Sequence, residues 1–244
     1  MKRIILNERA YAEQVVSTAC LGDNPYQALH CAARFYFSLG YSDAAVQEHI
    51  SALTPPGFLC PADRIINEAK KREPLALSSI PVTEPEIKII KDILGLQRQR
   101  VAFALLLAAK YQNCLNKNNN DWANFRHKEI FSMANVKMSV NHQCLLLNDL
   151  KSFGLLQFSK RADNLNVRVL YIVPDEKAAL EIFDMRNLGY QYMRFCGGSF
   201  LACGICGAVV PRKSPRQKFC TGCSRERQAK KIVEGYHAEF SRNA

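Results

Sequence analysis

The chain has 244 residues, enough for one sizeable core or two modest ones with a small appendage. Hydrophobic residues make up 48% and charged residues 23%, ordinary globular usage that excludes wholesale disorder and a fibrous class. The net charge of +11 favours a polyanionic partner, nucleic acid first among them, and the excess is local: from Cys203 to Ala244, nine Lys/Arg face three Asp/Glu.

At the N-terminus Glu8 interrupts the apolar core that a secretory signal would need, so a cytoplasmic protein is expected. From Glu8 to about Arg72 the pattern predicts helices over Ala10–Ala19, Tyr26–Leu39, Ser42–Leu53 and Ala62–Arg72, with Gly40 as a stop and Ser42 as an N-cap. Tyr26, Phe35, Tyr36 and Phe37 read as core packing rather than a base-stacking surface. Residues 73–83 carry two prolines and no helical period, which marks a linker or an extended strap. Thr83 with Glu86 forms a capping box for a helix ending near Leu94, and a strongly apolar helix follows from Gln97 to about Leu115. Its run from Val101 to Ala109 is about half the length that crosses a bilayer, so no membrane span is expected.

The run Asn116 to Asp121 is too polar to pack and reads as a surface loop, and Trp122 anchors the chain after it. A short helix over Arg126–Ala134, a turn over Asn135–Met138 and a longer helix over Ser139–Phe153, closed by Gly154, give helix, turn, helix. Leu155–Arg161 and Val167–Val173 then alternate like strands around a polar tip, the hairpin of a winged helix. Glu176 to Phe195 reads as helical and then aromatic-rich packing. The expected class is therefore mainly α with a small β-hairpin wing. It divides into a helical domain (1–72), a linker (73–83), a winged helix-turn-helix domain (84–174), a connecting helix and packing segment (175–200), and a basic zinc ribbon with a terminal helix (201–244).

The most specific motif is C-terminal. Cys203 and Cys206, thirteen intervening residues, then Cys220 and Cys223 form two Cys-x-x-Cys pairs with Gly204, Gly207 and Gly222 inside or beside them. Two residues between thiolates let both reach one ion from a tight turn, and four such donors suit one tetrahedral zinc. Four free buried thiols, a redox pair and an iron–sulfur cluster are the alternatives. Four protein thiolates leave no open position, so the expected zinc is structural. The other cysteines (Cys20, Cys31, Cys60, Cys114, Cys144, Cys196) show no pairing pattern and read as small buried hydrophobes in a reducing compartment.

Arg212, Lys213, Arg216, Lys218, Arg225, Arg227, Lys230 and Lys231 place eight cations within twenty residues, suited to phosphates, although a solvated helix end has the same composition. Thr221 to about Phe240 should be the terminal helix. In the predicted helix-turn-helix, Val140, Cys144, Leu147 and Leu150 form the inner face. Ser139, Asn141, His142 and Gln143 are the candidate base readers, and Lys160, Arg161 and Arg168 the wing contacts. Winged helices also serve as protein-binding modules, so both readings stand. No phosphate loop, His-Glu-x-x-His or nucleophile elbow occurs, and no enzymatic activity is expected.

The stretch Gln99 to Tyr111, the Asn-rich loop before Trp122, Lys128 to Phe131, and Asn187 to Tyr192 ahead of a Cys-x-x-Cys-Gly pair resemble uncharacterised proteins of bacteriophages and prophages of Gram-positive bacteria. The resemblance runs from about position 25 onward and implies a mobile-element origin and a bacterial host cytoplasm. More loosely, the plan is similar to phage replication initiators and regulators. The expected function is thus DNA binding in transcription control or replication start, duplex DNA being the first partner and RNA another. A competing expectation is an adaptor that captures a host replication, transcription or defence factor.

Overall fold

A computed structural model describes residues 4–229 except 23, 56, 60, 161–165, 175 and 226. The chain divides into two compact units, Met1–Ile80 with Glu181–Met185, and Pro81–Leu180 with Arg186–Ala244.

The first unit holds α1 (Glu8–Thr18), α2 (Pro25–Ser38), α3 (Asp43–Leu53) and α4 (Ala62–Ala69). Asn7, Asn24 and Ser42 cap the first three by accepting from backbone N–H groups in the first turn. Val15, Leu29, Ala32, Val46, Ile50, Ile65 and Ile66 make the core, so this unit is held mainly by apolar burial. Its polar anchor is Glu8. Both carboxylate oxygens accept from Arg72 at 2.7 Å, Arg34 adds 2.9 Å, and the Leu75 N–H closes the set at 2.9 Å. Burial alone would raise the Glu8 pKa; the Arg72 and Leu75 hydrogen bonds and the two guanidinium charges outweigh it and hold the carboxyl below its ordinary value.

The second unit is organised on a central helix. β1 (Ile80–Thr83) leads into α5 (Glu84–Asp92), whose capping box at Thr83 and Glu86 forms as the sequence requires. Glu86 is fully buried and does more than cap: it also accepts from Lys110 at 2.6 Å and from the Val173 N–H at 3.0 Å. α6 (Leu96–Leu115) is buried on all sides from Val101 to Ala109, as a helix in the middle of a core must be.

The Asn-rich segment after α6 is the surface loop that its composition suggests, with Asn116, Lys117, Asn118 and Asn120 exposed, but one of its amides turns inward. Asn119 is only 7% exposed, donating to Asn113 and to the Trp122 carbonyl and accepting from Asn124 at 2.8–2.9 Å. These amides satisfy one another, which is the condition for burying them. They set up β2 (Trp122–Ala123), a strand too short to leave a periodic trace in the sequence.

α7 (His127–Met133) ends in a tight turn at Asn135, which sits at φ 56°, and α8 (Val140–Ser152) follows with Ser139 as its N-cap. β3 (Leu156–Phe158) and β4 (Val167–Val169) then complete an antiparallel three-stranded sheet with spatial order β2-β4-β3. Leu156 faces Val169 and Trp122 faces Arg168 across it. The Tyr171 hydroxyl beyond β4 is fully buried and donates to the Ala102 carbonyl at 2.7 Å, pinning the sheet to α6.

Beyond 174 the expectation of a segment that is first helical and then aromatic packing is corrected in its order, a strand preceding the helix. Ala178–Ile182 is strand β5, paired with β1; an Ala-Ala-Leu-Glu run has helical propensity, but pairing with a strand edge overrides it. α9 (Leu188–Phe195) follows, and β6 (Phe200–Ala202) with β7 (Val209–Pro211) forms a final hairpin. The fold is about half helix with small antiparallel sheets, and no helix among the described residues is long and apolar enough to cross a membrane.

Candidate metal centre and nucleic-acid interface

The β6–β7 hairpin presents Cys203 at the end of its first strand. The Cys203 N–H donates to the Ala208 carbonyl, and the Gly207 N–H returns to the Cys203 carbonyl at 2.9 Å, so the chain turns sharply around Cys206. Gly207 sits at φ 72°, where a side chain would be strained; Gly204 and Gly222 have ordinary backbone angles and room for a Cβ, so of the three glycines only Gly207 is required by the turn. The second pair approaches from the far loop. The Cys220 N–H donates to Cys203 Sγ at 3.2 Å and the Cys223 N–H to Cys220 Sγ at 3.4 Å.

All four sulfurs lie within 4.8 Å of one another, with Cys206 Sγ and Cys220 Sγ 3.8 Å apart. Cys203 and Cys223 are buried, Cys206 and Cys220 half-buried, whereas of the scattered cysteines expected to be buried only Cys31 is so among the described residues, Cys20, Cys114, Cys144 and Cys196 being exposed. The thiols are electrostatically unequal. Burial opposes ionisation of Cys203, but N–H groups of Cys206, Cys220 and Ile205 together with the Cys206 thiol lower its pKa to about 6. Hydrogen bonding to Cys220, with burial and the neighbouring thiols, pushes Cys223 up to about 12. Crowded sulfurs cannot all ionise unaided, and a cation among them removes that conflict. The four cysteines are placed to hold one metal ion.

Around this centre Arg212, Lys213, Arg216, Lys218, Arg225 and Arg227 are all exposed. Between Asp184 and Glu226 the chain has no acidic residue, so nothing in that stretch neutralises them. Arg212 is held against its own loop, its Nη2 donating to the Pro215 carbonyl at 2.8 Å, and Arg227 lies over the Phe219 ring at 5.1 Å. Residues 221–225 are helical, as expected for the start of a terminal helix. Lys230 and Lys231, and the helix expected beyond them, lie outside the described residues.

The second candidate surface is α8, and here the predicted faces need correction. Val140 is 71% exposed and Cys144 is exposed, whereas Leu146 is buried with Leu147 and Leu150. The inner face therefore runs through Gln143, Leu146, Leu147 and Leu150. Of the predicted base readers, Ser139 is bound to His142 Nδ1 at 2.7 Å while capping the helix, and the half-buried Gln143 donates to the Met138 carbonyl at 3.2 Å. Asn141 has no side-chain partner among the described residues and faces out. Leu145, 61% exposed, and Asn148 share that outward face and lie outside the predicted set, because the apolar pattern puts the face one position out of phase. Lys160, just beyond β3, is exposed. Arg168 is half-buried, its Nε with no partner among the described residues, and Arg161 lies outside those residues.

Residues that sequence reasoning passes over join the hairpin to the α7–α8 turn. Asn187 Nδ2 donates to the Val209 carbonyl of β7 at 3.0 Å, and its Oδ1 accepts from Asn135 Nδ2 at 2.9 Å. Arg186 donates to the Cys206 carbonyl at 2.6 Å, inside the first cysteine turn. Arg100, from α6, donates to the carbonyls of Ala134 and Asn135. The cysteine cluster and α8 are thus two parts of one unit, linked through a single turn.

Compared with protein families, with curated proteins and with solved structures, the chain finds no match.

Proposed function

We propose that the protein is a non-enzymatic, duplex-DNA-binding protein in which a winged helix chooses the site and a zinc ribbon binds phosphates beside it. The observation that carries this reading is the order of elements in the second unit. Helix, strand, helix, turn, helix and hairpin, with the first strand on the outside of a β2-β4-β3 sheet, is the plan of a winged helix, and it leaves α8 exposed where a recognition helix would be. Zinc is the ion the cluster fits. A tetrahedron with Zn–S bonds of about 2.3 Å separates its sulfurs by about 3.8 Å, the spacing of Cys206 and Cys220. With four thiolates closing the shell, the ion holds the ribbon together and has no position for substrate. The resemblance to phage and prophage proteins adds a setting in transcription control or replication start.

The test is the salt dependence of duplex binding. Reversing Lys213, Arg216 and Lys218 to Glu should weaken binding to every sequence and reduce the log–log salt slope by about 0.9 for each phosphate that is no longer neutralised. An unchanged affinity and slope would remove the ribbon from the interface.

A second reading, an adaptor that binds a host protein, is favoured by the apolar side chains Val140, Leu145 and Phe153, all more than half exposed on or beside α8. It predicts a complex stable at high salt and no duplex affinity.

A further inference from the structure

The outward face of α8 has a composition that points to a particular kind of DNA. At 100° per residue, Val140, Cys144, Asn148, Asn141, Ser152 and Leu145 fall in that angular order within one arc of about 140°, and all six are exposed. No acidic or arginine side chain lies inside the arc. Lys151 falls within it, near Val140, and is held over the Phe158 ring at 5.1 Å. Asp149, just outside the arc, is neutralised by Arg98, which donates to it at 2.6 and 3.1 Å. Toward its middle the arc thus offers two carboxamides, with the aliphatic Leu145 at one edge and Val140 at the other beside Lys151, the arc's single cation.

That set matches one half of the major-groove code. Guanine is read chiefly by Arg or Lys at O6 and N7, a donor pair this face does not present at its centre. Adenine is read by Asn or Gln through N6 and N7, and the thymine methyl by apolar contact. Asn141 is unengaged among the described residues, and Asn148 has only an exposed bond to the Cys144 carbonyl at 2.9 Å to exchange. Seven residues of helix rise about 10 Å, which spans about three base steps. We infer that α8 reads an A·T-rich element of about three base pairs, with Asn141 and Asn148 on adenine edges and Leu145 against a thymine methyl. This inference rests on the proposed DNA-binding function and names the sequence class that such a site takes.

The experiment uses the full chain and fluorescence anisotropy at one fixed salt concentration. Three duplexes of equal length are compared: alternating A·T, alternating G·C, and alternating A·U, in which uracil keeps the hydrogen bonds of thymine and lacks its methyl. A·T should bind about tenfold more tightly than G·C, the discrimination of one or two bidentate amide contacts. A·U should fall below A·T by about fourfold, the transfer value of one methyl. Leu145→Ala should abolish the A·T over A·U difference, and Asn148→Ala should shrink the A·T over G·C ratio. All these side chains are exposed, so the variants should fold, which circular dichroism checks. Equal affinity for A·T and A·U would overturn the inference, since a preference made in the minor groove ignores the methyl. Equal or better binding to G·C would overturn it and leave DNA binding intact. No duplex binding at all would remove both.

Discussion

Replacing Gly189 by Ala should be among the most damaging small changes in the second unit. A Cβ at this position would lie 1.8 Å from the Ala134 carbonyl oxygen and 2.5 Å from its carbon, and 2.9 Å from Arg100 Nε. Two of those atoms are backbone, and Arg100 Nε itself donates to that carbonyl at 3.0 Å, so the obstacle is pinned from the other side. Forcing a methyl into a packed interior costs about 1–3 kcal/mol, and spoiling a charge-assisted hydrogen bond adds about 1.5–3 kcal/mol. The sum is about 2.5–6 kcal/mol, and at about 2–4 °C per kcal/mol for a unit of this size the melting temperature should drop by about 5–24 °C. Differential scanning calorimetry on the full chain measures it. A variant that melts within a degree of the parent would mean that α9 does not press on the α7–α8 turn.

The metal centre predicts about one zinc per purified chain by elemental analysis. Cys206→Ser with Cys223→Ser should lose the metal and speed tryptic cleavage around Arg212 to Lys218, where the chain is held by the cysteine loops; iron, or no metal in the parent, would overturn the assignment. The Glu8 anchor predicts an acid-sensitive first unit. Because its folded pKa is lowered, its stabilisation is present above the unfolded carboxyl value of 4.5 and is lost as pH falls through the lower folded value. Glu8→Gln should therefore destabilise this unit at pH 7 and leave it with a smaller loss between pH 5 and 3 than the parent. Parallel pH profiles in chemical denaturation would refute the role of the carboxylate.

What the sequence made legible was local. The cysteine pairs announce themselves by spacing, and Thr83 with Glu86, Ser139 and Gly154 mark helix ends within one or two residues because a cap joins near neighbours. The inner face of α8 was not legible for an equally physical reason. Leu145, Leu146 and Leu147 are consecutive, so hydrophobicity alone does not say which of the three turns outward; packing leaves Leu145 exposed and buries the other two. Polar anchors between distant residues left no trace at all. Arg72 meets Glu8 across 64 positions and Asn135 meets Asn187 across 52, and nothing in either neighbourhood marks its partner.

That last pair belongs to a group of contacts that ties the second unit together. Arg186, Asn187 and Gly189 lie within four positions, yet they reach the first cysteine turn, the β7 backbone and the turn before α8. Asn187 adopts φ 53°, which asparagine tolerates better than most residues, and this angle lets its amide face β7 on one side and Asn135 on the other. A ribbon on a free tether would add phosphate affinity by raising local charge, without regard to where α8 sits. A ribbon bonded to the turn of α7 and α8 holds its cations at a fixed offset from α8, so that under the proposed function phosphates and bases would have to be met in one register. On the proposed function, the metal therefore contributes to site choice as well as to affinity, because the backbone it holds in shape is the backbone that Asn187 joins to the turn.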